Sequence, residues 1–517
     1  MLIDAAALPD ATLLEADVCI IGSGAAGMTI ARDLAASNLR VLLLESGPYD
    51  FDEAANDLNA GQSVGRPYSR LDVCRQRFLG GTTNHWGGWC LPHEPIDFER
   101  GWPFGRTELD PFYRRAHDIL QLGPFDYRLS SWGVDRGDVP VPFRGPHFVA
   151  KMLQNSPPTR FREQYGPELK RASRVTVCLD ATVTRIVTGP GDARVESLQV
   201  AAPGGKRLTV KAGAYVLAAG GIENARLLLL SGEPGGPGLG NGSGLVGRNF
   251  MVHLNTPGGL IALADPYANL NFYTNLTSNG RDYAPFRRRF VSFVGLSEPT
   301  MRAENLPNMR MMWRLDYGDD IQTIMALKNA LHWDAGGHRL ADIGAVMADL
   351  GTAGTYAFRR LFADTDTPVK ALNTYFMFEP TPNPESRVRL GDEKDAFGQR
   401  RVEVDWQINA ADKDGARRIA RLLGAELGRT GFGRLRTLLD EDEWPEAMYG
   451  DQHHMGTTKM HRDPAQGVVD PDCRMHEVEN LWVAGSSVFP RAGMSNPTLT
   501  ITALALRLAQ QLRRQLA

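Results

Sequence analysis

The chain has 517 residues, 43% of them hydrophobic, with a formal net charge of −3 and a mean hydropathy of −0.28. That length predicts two or three domains or one large elaborated domain, and the near-neutral charge makes no case for nucleic acid. No apolar run reaches the roughly 18 residues needed to span a bilayer, and five scattered cysteines without CxxC spacing (Cys19, Cys74, Cys90, Cys178, Cys473) argue against a disulfide framework or a zinc site.

In chain order, residues 17–21 form a short apolar run readable as a buried strand. Gly22-Ser23-Gly24-Ala25-Ala26-Gly27 follows at once, residues 28–37 read as a helix, and a second apolar run over 41–44 ends in Glu45. Strand, glycine turn, helix, strand and acid in this order make a dinucleotide site. The glycines Gly22, Gly24 and Gly27 permit a tight turn and close approach of a pyrophosphate, the helix N-terminus stabilises that anion, and Glu45 accepts from a ribose hydroxyl. The motif alone does not separate FAD from NAD. The first basic residue is Arg32, so no charged leader is expected at the N-terminus, and the setting expected is reducing and cytoplasmic.

Residues 175–179 and 181–187 read as strands. Residues 215–219 form another, closed by Gly220-Gly221 and followed by a helix over 223–230; glycines and prolines at 232–243 mark a loop. The block 262–408 differs. Met309, Met311, Trp313 and Leu315 alternate with Arg310, Met312 and Arg314, the period of two of a half-buried strand. Residues 289–294, 374–378, 387–390 and 402–406 also read as strands, while 321–331 and 340–362 have helical spacing, so the block predicts an antiparallel sheet with a helical hairpin. The nucleotide-binding fold resumes near Met448.

The last segment carries the chemistry. His453, in Gln452-His453-His454-Met455-Gly456, and Asn496, in Gly493-Met494-Ser495-Asn496-Pro497-Thr498, lie 43 positions apart and flank a strand-like run at 480–484. A histidine accepts a proton near neutral pH and an asparagine amide orients a hydroxyl. Together they predict a site that removes a proton from an alcohol. Asn496 before Pro497 also fits a helix start, with Asn as N-cap.

Taken with Gly80-Gly81-Thr82-Thr83-Asn84-His85-Trp86, Leu217-Ala218-Ala219-Gly220-Gly221-Ile222-Glu223-Asn224 and Val246-Gly247-Arg248-Asn249, these motifs make the chain resemble the glucose-methanol-choline (GMC) family of FAD-dependent oxidoreductases over nearly its whole length. The run 77–86, Glu223-Asn224-Ala225-Arg226 and Pro382-Asn383-Pro384-Glu385-Ser386-Arg387-Val388 resemble its pyranose oxidase and bacterial glycoside oxidoreductase branch.

The resemblance implies an α/β fold: a Rossmann-like FAD-binding domain built from discontinuous segments plus an α+β substrate domain with an antiparallel sheet. The expected divisions are 1–261, with a flavin-attachment loop near 77–90; 262–408 for the substrate domain; and 409–517 for a helical segment and a return to the FAD domain. It implies FAD held by Gly22, Gly24, Ala26, Gly27, Glu45, Gly80, Gly81, Thr83, His85, Val183, Gly220, Gly485, Ser486 and Thr498, with His85 at the position that bonds the flavin in covalently flavinylated members. Gly87 departs from the hydroxyl residue that pyranose oxidases commonly place there. His453 takes the place of the catalytic base and Asn496 that of its partner. The activity implied is oxidation of an alcohol, a sugar or glycoside secondary hydroxyl or else a non-sugar natural-product alcohol, with oxygen or quinone as electron acceptor and no metal; the family also includes non-redox lyases.

Overall fold

The computed structural model describes residues 1–516 apart from 234, 266, 267, 269, 271–280, 284–287, 317–343, 345, 352, 355–368 and 370. The helical spacing at 321–331 lies outside the described residues, as does most of 340–362.

Three sheets organise the described chain. The first has a parallel core ordered Leu2–Asp4, Val175–Leu179, Val41–Leu44, Leu13–Ile21, Lys206–Leu217. Val195–Ala202 and Thr182–Thr188 extend it antiparallel, and Leu481–Val483 joins from the far end of the chain, parallel to Lys206–Leu217. The central strands bury both faces, with Val18, Cys19, Ile20, Val216 and Leu217 fully enclosed, as parallel sheets require. The helices Ala25–Leu34 and Thr498–Leu516 pack together over this sheet.

The second sheet is antiparallel, ordered Gly433–Thr437, Leu254–Leu263, Ala371–Phe378, Met309–Asp316, Arg288–Leu296, Phe148–Asn155, Trp89–Cys90. It therefore draws strands from both sides of the block 262–408. Within that block, Arg387–Lys394 and Arg400–Asp405 leave it; they pair antiparallel with each other, and Arg400–Asp405 pairs with Gly61–Ser63 to complete a separate three-stranded sheet. Composition marks where strands are rich in apolar residues; it does not say which strand a ladder will choose.

The glycine turn joins the first strand to its helix. That helix starts at Ala25 rather than Met28, with Gly24 extended at its N-cap (φ −71°, ψ −167°). Gly22 sits at φ +103°, where a Cβ would lie 2.7 Å from the Ala218 carbonyl oxygen, and a Cβ on Gly27 would lie 1.9 Å from the Gly22 carbonyl oxygen. A Cβ on Gly24 meets nothing within 4 Å. Gly22 and Gly27 are small so that turn, helix and sheet can close, whereas Gly24 is small toward open space. Gly24→Val should therefore fold with a melting temperature near that of the dinucleotide-free parent yet fail to retain a dinucleotide. Gly27→Val should lose on the order of 3 kcal/mol or more through overpacking. Thermal melts paired with absorbance of the purified proteins check both; equal melting of the two variants would refute the distinction.

Candidate active site

A cavity of about 790 Å³ opens where the carboxyl ends of the parallel strands face the antiparallel sheet. Every expected cofactor residue lines it except Gly27 and Gly80. Gly27 serves the packing just described. Gly80, at φ +90°, donates its N–H to Ser23 Oγ at 3.1 Å and so ties the 80–85 turn to the glycine turn. Glu45 is buried and accepts from Ser23 N–H and Oγ at 3.1 and 2.5 Å and from Gly47 N–H at 2.9 Å, which holds its carboxylate at the strand end where a ribose would lie.

The lining also fits a flavin dinucleotide by shape. Gly24, Gly87, Gly220 and Gly485 all face the cavity, and a Cβ on any of them would meet no atom within 4 Å. The helices Ala25–Leu34 and Gly220–Leu229 start at this wall and direct free amide N–H groups and positive dipole ends toward it. His85 lies half-buried on the wall, and its Nε2 has no hydrogen-bond partner. Burial and the nearby Arg160 charge hold its imidazole below the ordinary value.

At the other end of the cavity His453 and Asn496 meet. Asn496 Nδ2 lies 3.2 Å from His453 Nε2, and Arg310 Nη1 donates to Asn496 Oδ1 at 2.8 Å. Arginine has no acceptor, so this contact fixes which end of the amide is oxygen. Asn496 Nδ2 then donates, and His453 Nε2 must carry a lone pair. The other side of the ring gives the same answer. His253 Nε2 lies 2.9 Å from the Gly493 carbonyl oxygen and must donate to it, which leaves His253 Nδ1 as an acceptor 2.8 Å from His453 Nδ1. His453 therefore keeps its proton on Nδ1, shared with Asp451 Oδ2 at 3.3 Å. Nδ1 of both histidines and the Asp451 carboxylate lie within 4.8 Å of one another, and hydrogen bonds account for that spacing.

Burial pushes His453 below the ordinary imidazole value; the Asp451 charge opposes that shift and the Arg310 charge adds to it. His253 is held far lower, first by burial and then by His453. Both rings are thus neutral near pH 7, and His453 Nε2 is a free base. His454, one residue on, points elsewhere. It is buried between Tyr68 and Phe250, with Nε2 3.7 Å from Cys74 Sγ and its pKa pushed down by burial to about 3.

Asn496 does not cap the last helix through its side chain. Its oxygen is taken by Arg310, and the helix opens with Ile501 N–H donating to the Pro497 carbonyl at 2.8 Å. Glu379 is fully buried behind the site, accepting from Arg491 Nε at 2.8 Å and Gly493 N–H at 3.1 Å. Trp86 and Trp89 both line the cavity. His253, Asp451 and Arg310 escape a reading of motifs. Two main-chain hydrogen bonds of 3.0 Å pair Met251 with Met455 antiparallel, which sets His253 opposite His453 although 200 residues separate them.

The chain matches the GMC oxidoreductase family model over residues 165–255 and again over 382–505, and a model of the NAD(P)-binding Rossmann-like domain over 20–49. It is 26% identical to the 6'''-hydroxyparomomycin C oxidase of Streptomyces lividus, covering 97% of this chain and 92% of that one. Over 65 residues, 12% of either chain, it is 45% identical to the C-glycoside 3-oxidase of Arthrobacter globiformis. Pyridoxine 4-oxidase from Mesorbium loti has a similar fold, with a TM-score of 0.56 at 19% identity over 96% of this chain and 98% of that one. With a glycine cradle shaped for FAD at one end of the cavity and a neutral histidine at the other, the chain belongs to the GMC oxidoreductase family, FAD-dependent oxidoreductases that act on CH–OH donors.

Proposed function

We propose that this chain oxidises a secondary hydroxyl of a sugar or glycoside, with His453 as the base that takes the hydroxyl proton. One observation carries the assignment of the base: hydrogen bonds from both sides leave the lone pair on Nε2, on the cavity wall. Bound along the glycine turns, FAD supplies the hydride acceptor. The chain's own residues do the rest. The substrate hydroxyl displaces the Asn496 amide from His453 and donates to Nε2, while Asn496 Nδ2 donates to the substrate oxygen. As Nε2 gains the proton, the Asp451 carboxylate stabilises the imidazolium and His253 Nδ1 keeps the ring from turning. Arg310 holds the amide so that its nitrogen faces the reacting oxygen.

The relatives support a sugar, since one acts on an aminoglycoside and one on a C-glycoside by name. The substrate side of the cavity agrees: Asn255, Gln452 and Arg310 offer polar contacts, and Trp89, Tyr375 and Tyr449 offer aromatic faces. Oxygen or a quinone is the electron acceptor. All five cysteines are free and buried, which suits a reducing, cytoplasmic setting, and no described helix is long and apolar enough to cross a membrane. His85 bonds the flavin covalently: it stands on the cavity wall with Nε2 unpartnered.

Anaerobic mixing with a panel of sugars and glycosides tests the reading; flavin bleaching by none of them, with bleaching by other alcohols, would overturn the substrate class. His453→Ala should keep FAD but slow bleaching by on the order of 10²–10⁴-fold, whereas His454→Ala should cost stability rather than this step. Bleaching should fade as pH falls through a value under the ordinary 6.5 of imidazole, because only neutral His453 accepts a proton. Asp451→Asn should move that limb to still lower pH, since the lost carboxylate is what raises His453; an upward shift would contradict the network.

Acid precipitation should leave flavin with the parent polypeptide and none with His85→Ala. Complete release of flavin from the parent would retire the covalent bond.

A further inference from the structure

The floor of the substrate half is one face of the antiparallel sheet. Arg310, Met312 and Arg314 alternate on Met309–Asp316, and all three line the cavity. Register carries the pattern across neighbouring strands: Arg310 pairs with Met377, Met377 with Asn255, and Asn255 with Tyr449, four cavity residues in one transverse row. The next row places Tyr375 beside Met312.

Two facts about this floor go unused by the proton transfer. Arg310 is buried, and no carboxylate among the described residues forms an ion pair with it. Nη1 serves Asn496, Nε has no partner, and the guanidinium lies 4.9 Å over the Trp89 ring. Burial pushes even this guanidinium down to about 10, with Asp451 opposing the shift. Asn255 Nδ2, in the same row, is also buried without an acceptor. Arg314 stands at the exposed end of the strand, 5.1 Å over Tyr375. A buried cation without a counter-charge is costly to keep. The Asp451 carboxylate is already engaged by His453. The floor is thus rich in donors that lack acceptors.

Building on the alcohol oxidation argued above, we propose that the substrate carries a carboxylate, which Arg310 binds next to the reacting carbon while Arg314 draws it in at the cavity mouth. A carboxylate is acceptor-only and matches this donor set, whereas a neutral sugar hydroxyl needs acceptors as well. The substrate class is an acidic sugar or a glycoside with an acidic group within one ring of the oxidised carbon. Arg314 acts over distance, so its effect falls with salt.

The test uses the FAD-loaded enzyme without oxygen and three matched pairs: methyl glucoside with methyl glucuronide, glucose with gluconate, and phenyl glucoside with 4-carboxyphenyl glucoside. Binding is read by calorimetry and reduction by flavin bleaching. In at least one pair the acid should bind at least tenfold more tightly than its neutral partner, and 0.5 M salt should shrink that ratio. Arg310→Met slows both members because Asn496 loses its donor, but it should cost the acid at least tenfold more; Arg310→Lys should restore part of the ratio. Equal binding within every pair, or equal losses in Arg310→Met, overturns the proposal and leaves Arg310 serving Asn496 alone. Tight binding of an acid without bleaching by any member upholds the carboxylate site and overturns the alcohol-oxidation reading instead, so the two fail separately.

Discussion

Gly493 presents its carbonyl oxygen to His253 Nε2 at 2.9 Å, and a carbonyl can only accept. From that contact the proton positions follow in turn through His253 and His453, and Arg310 fixes Asn496 from the opposite side. The two ends meet at His453 Nε2 without conflict. The backbone at Gly493 is itself held, at φ +57°, by Glu379, which accepts its N–H, while a Cβ there would lie 3.0 Å from Asp97 Oδ2. A turn with no side chain, backed by buried acids, therefore orders the His453 ring in the cavity.

Pairing between distant segments brings those groups within reach. The Met251–Met455 bridge joins the segment leading into Leu254–Leu263 to the C-terminal segment. Leu254–Leu263 then continues directly into the antiparallel sheet. One stretch of chain thus carries His253 and begins the substrate floor. Arg310 reaches Asn496 from that floor, so the sheet and the C-terminal segment are joined by a side-chain hydrogen bond as well as by the main chain.

What could be read in advance was whatever depends on neighbours in sequence. The glycine turn, Glu45 and the strands around them are local, and they stand where their spacing puts them. His453 and Asn496 were visible because each sits in a short motif of its own. His253, Asp451 and Arg310 have no such motif, and their meaning comes from an antiparallel register and from strand pairing between distant segments. The alternation around Arg310 was legible as a strand; the face it turns to the cavity was not. Likewise, the strands over 387–405 were legible, but Gly61–Ser63, the outer partner of Arg400–Asp405, lies more than three hundred residues away.

The alternation on Met309–Asp316 divides labour between the two sides of one strand. Met309, Met311 and Trp313 are buried in the main core, with Trp313 also reaching the cavity wall; Arg310, Met312 and Arg314 look into the cavity. Within this strand, residues that line the cavity are thus largely distinct from those that keep the sheet packed, and a change on one side need not be matched on the other. Such a floor can be rewritten one residue at a time while the scaffold stands. A single scaffold of this kind is thereby free to diversify toward alcohols of different charge and shape while the His453 end of the cavity stays unchanged.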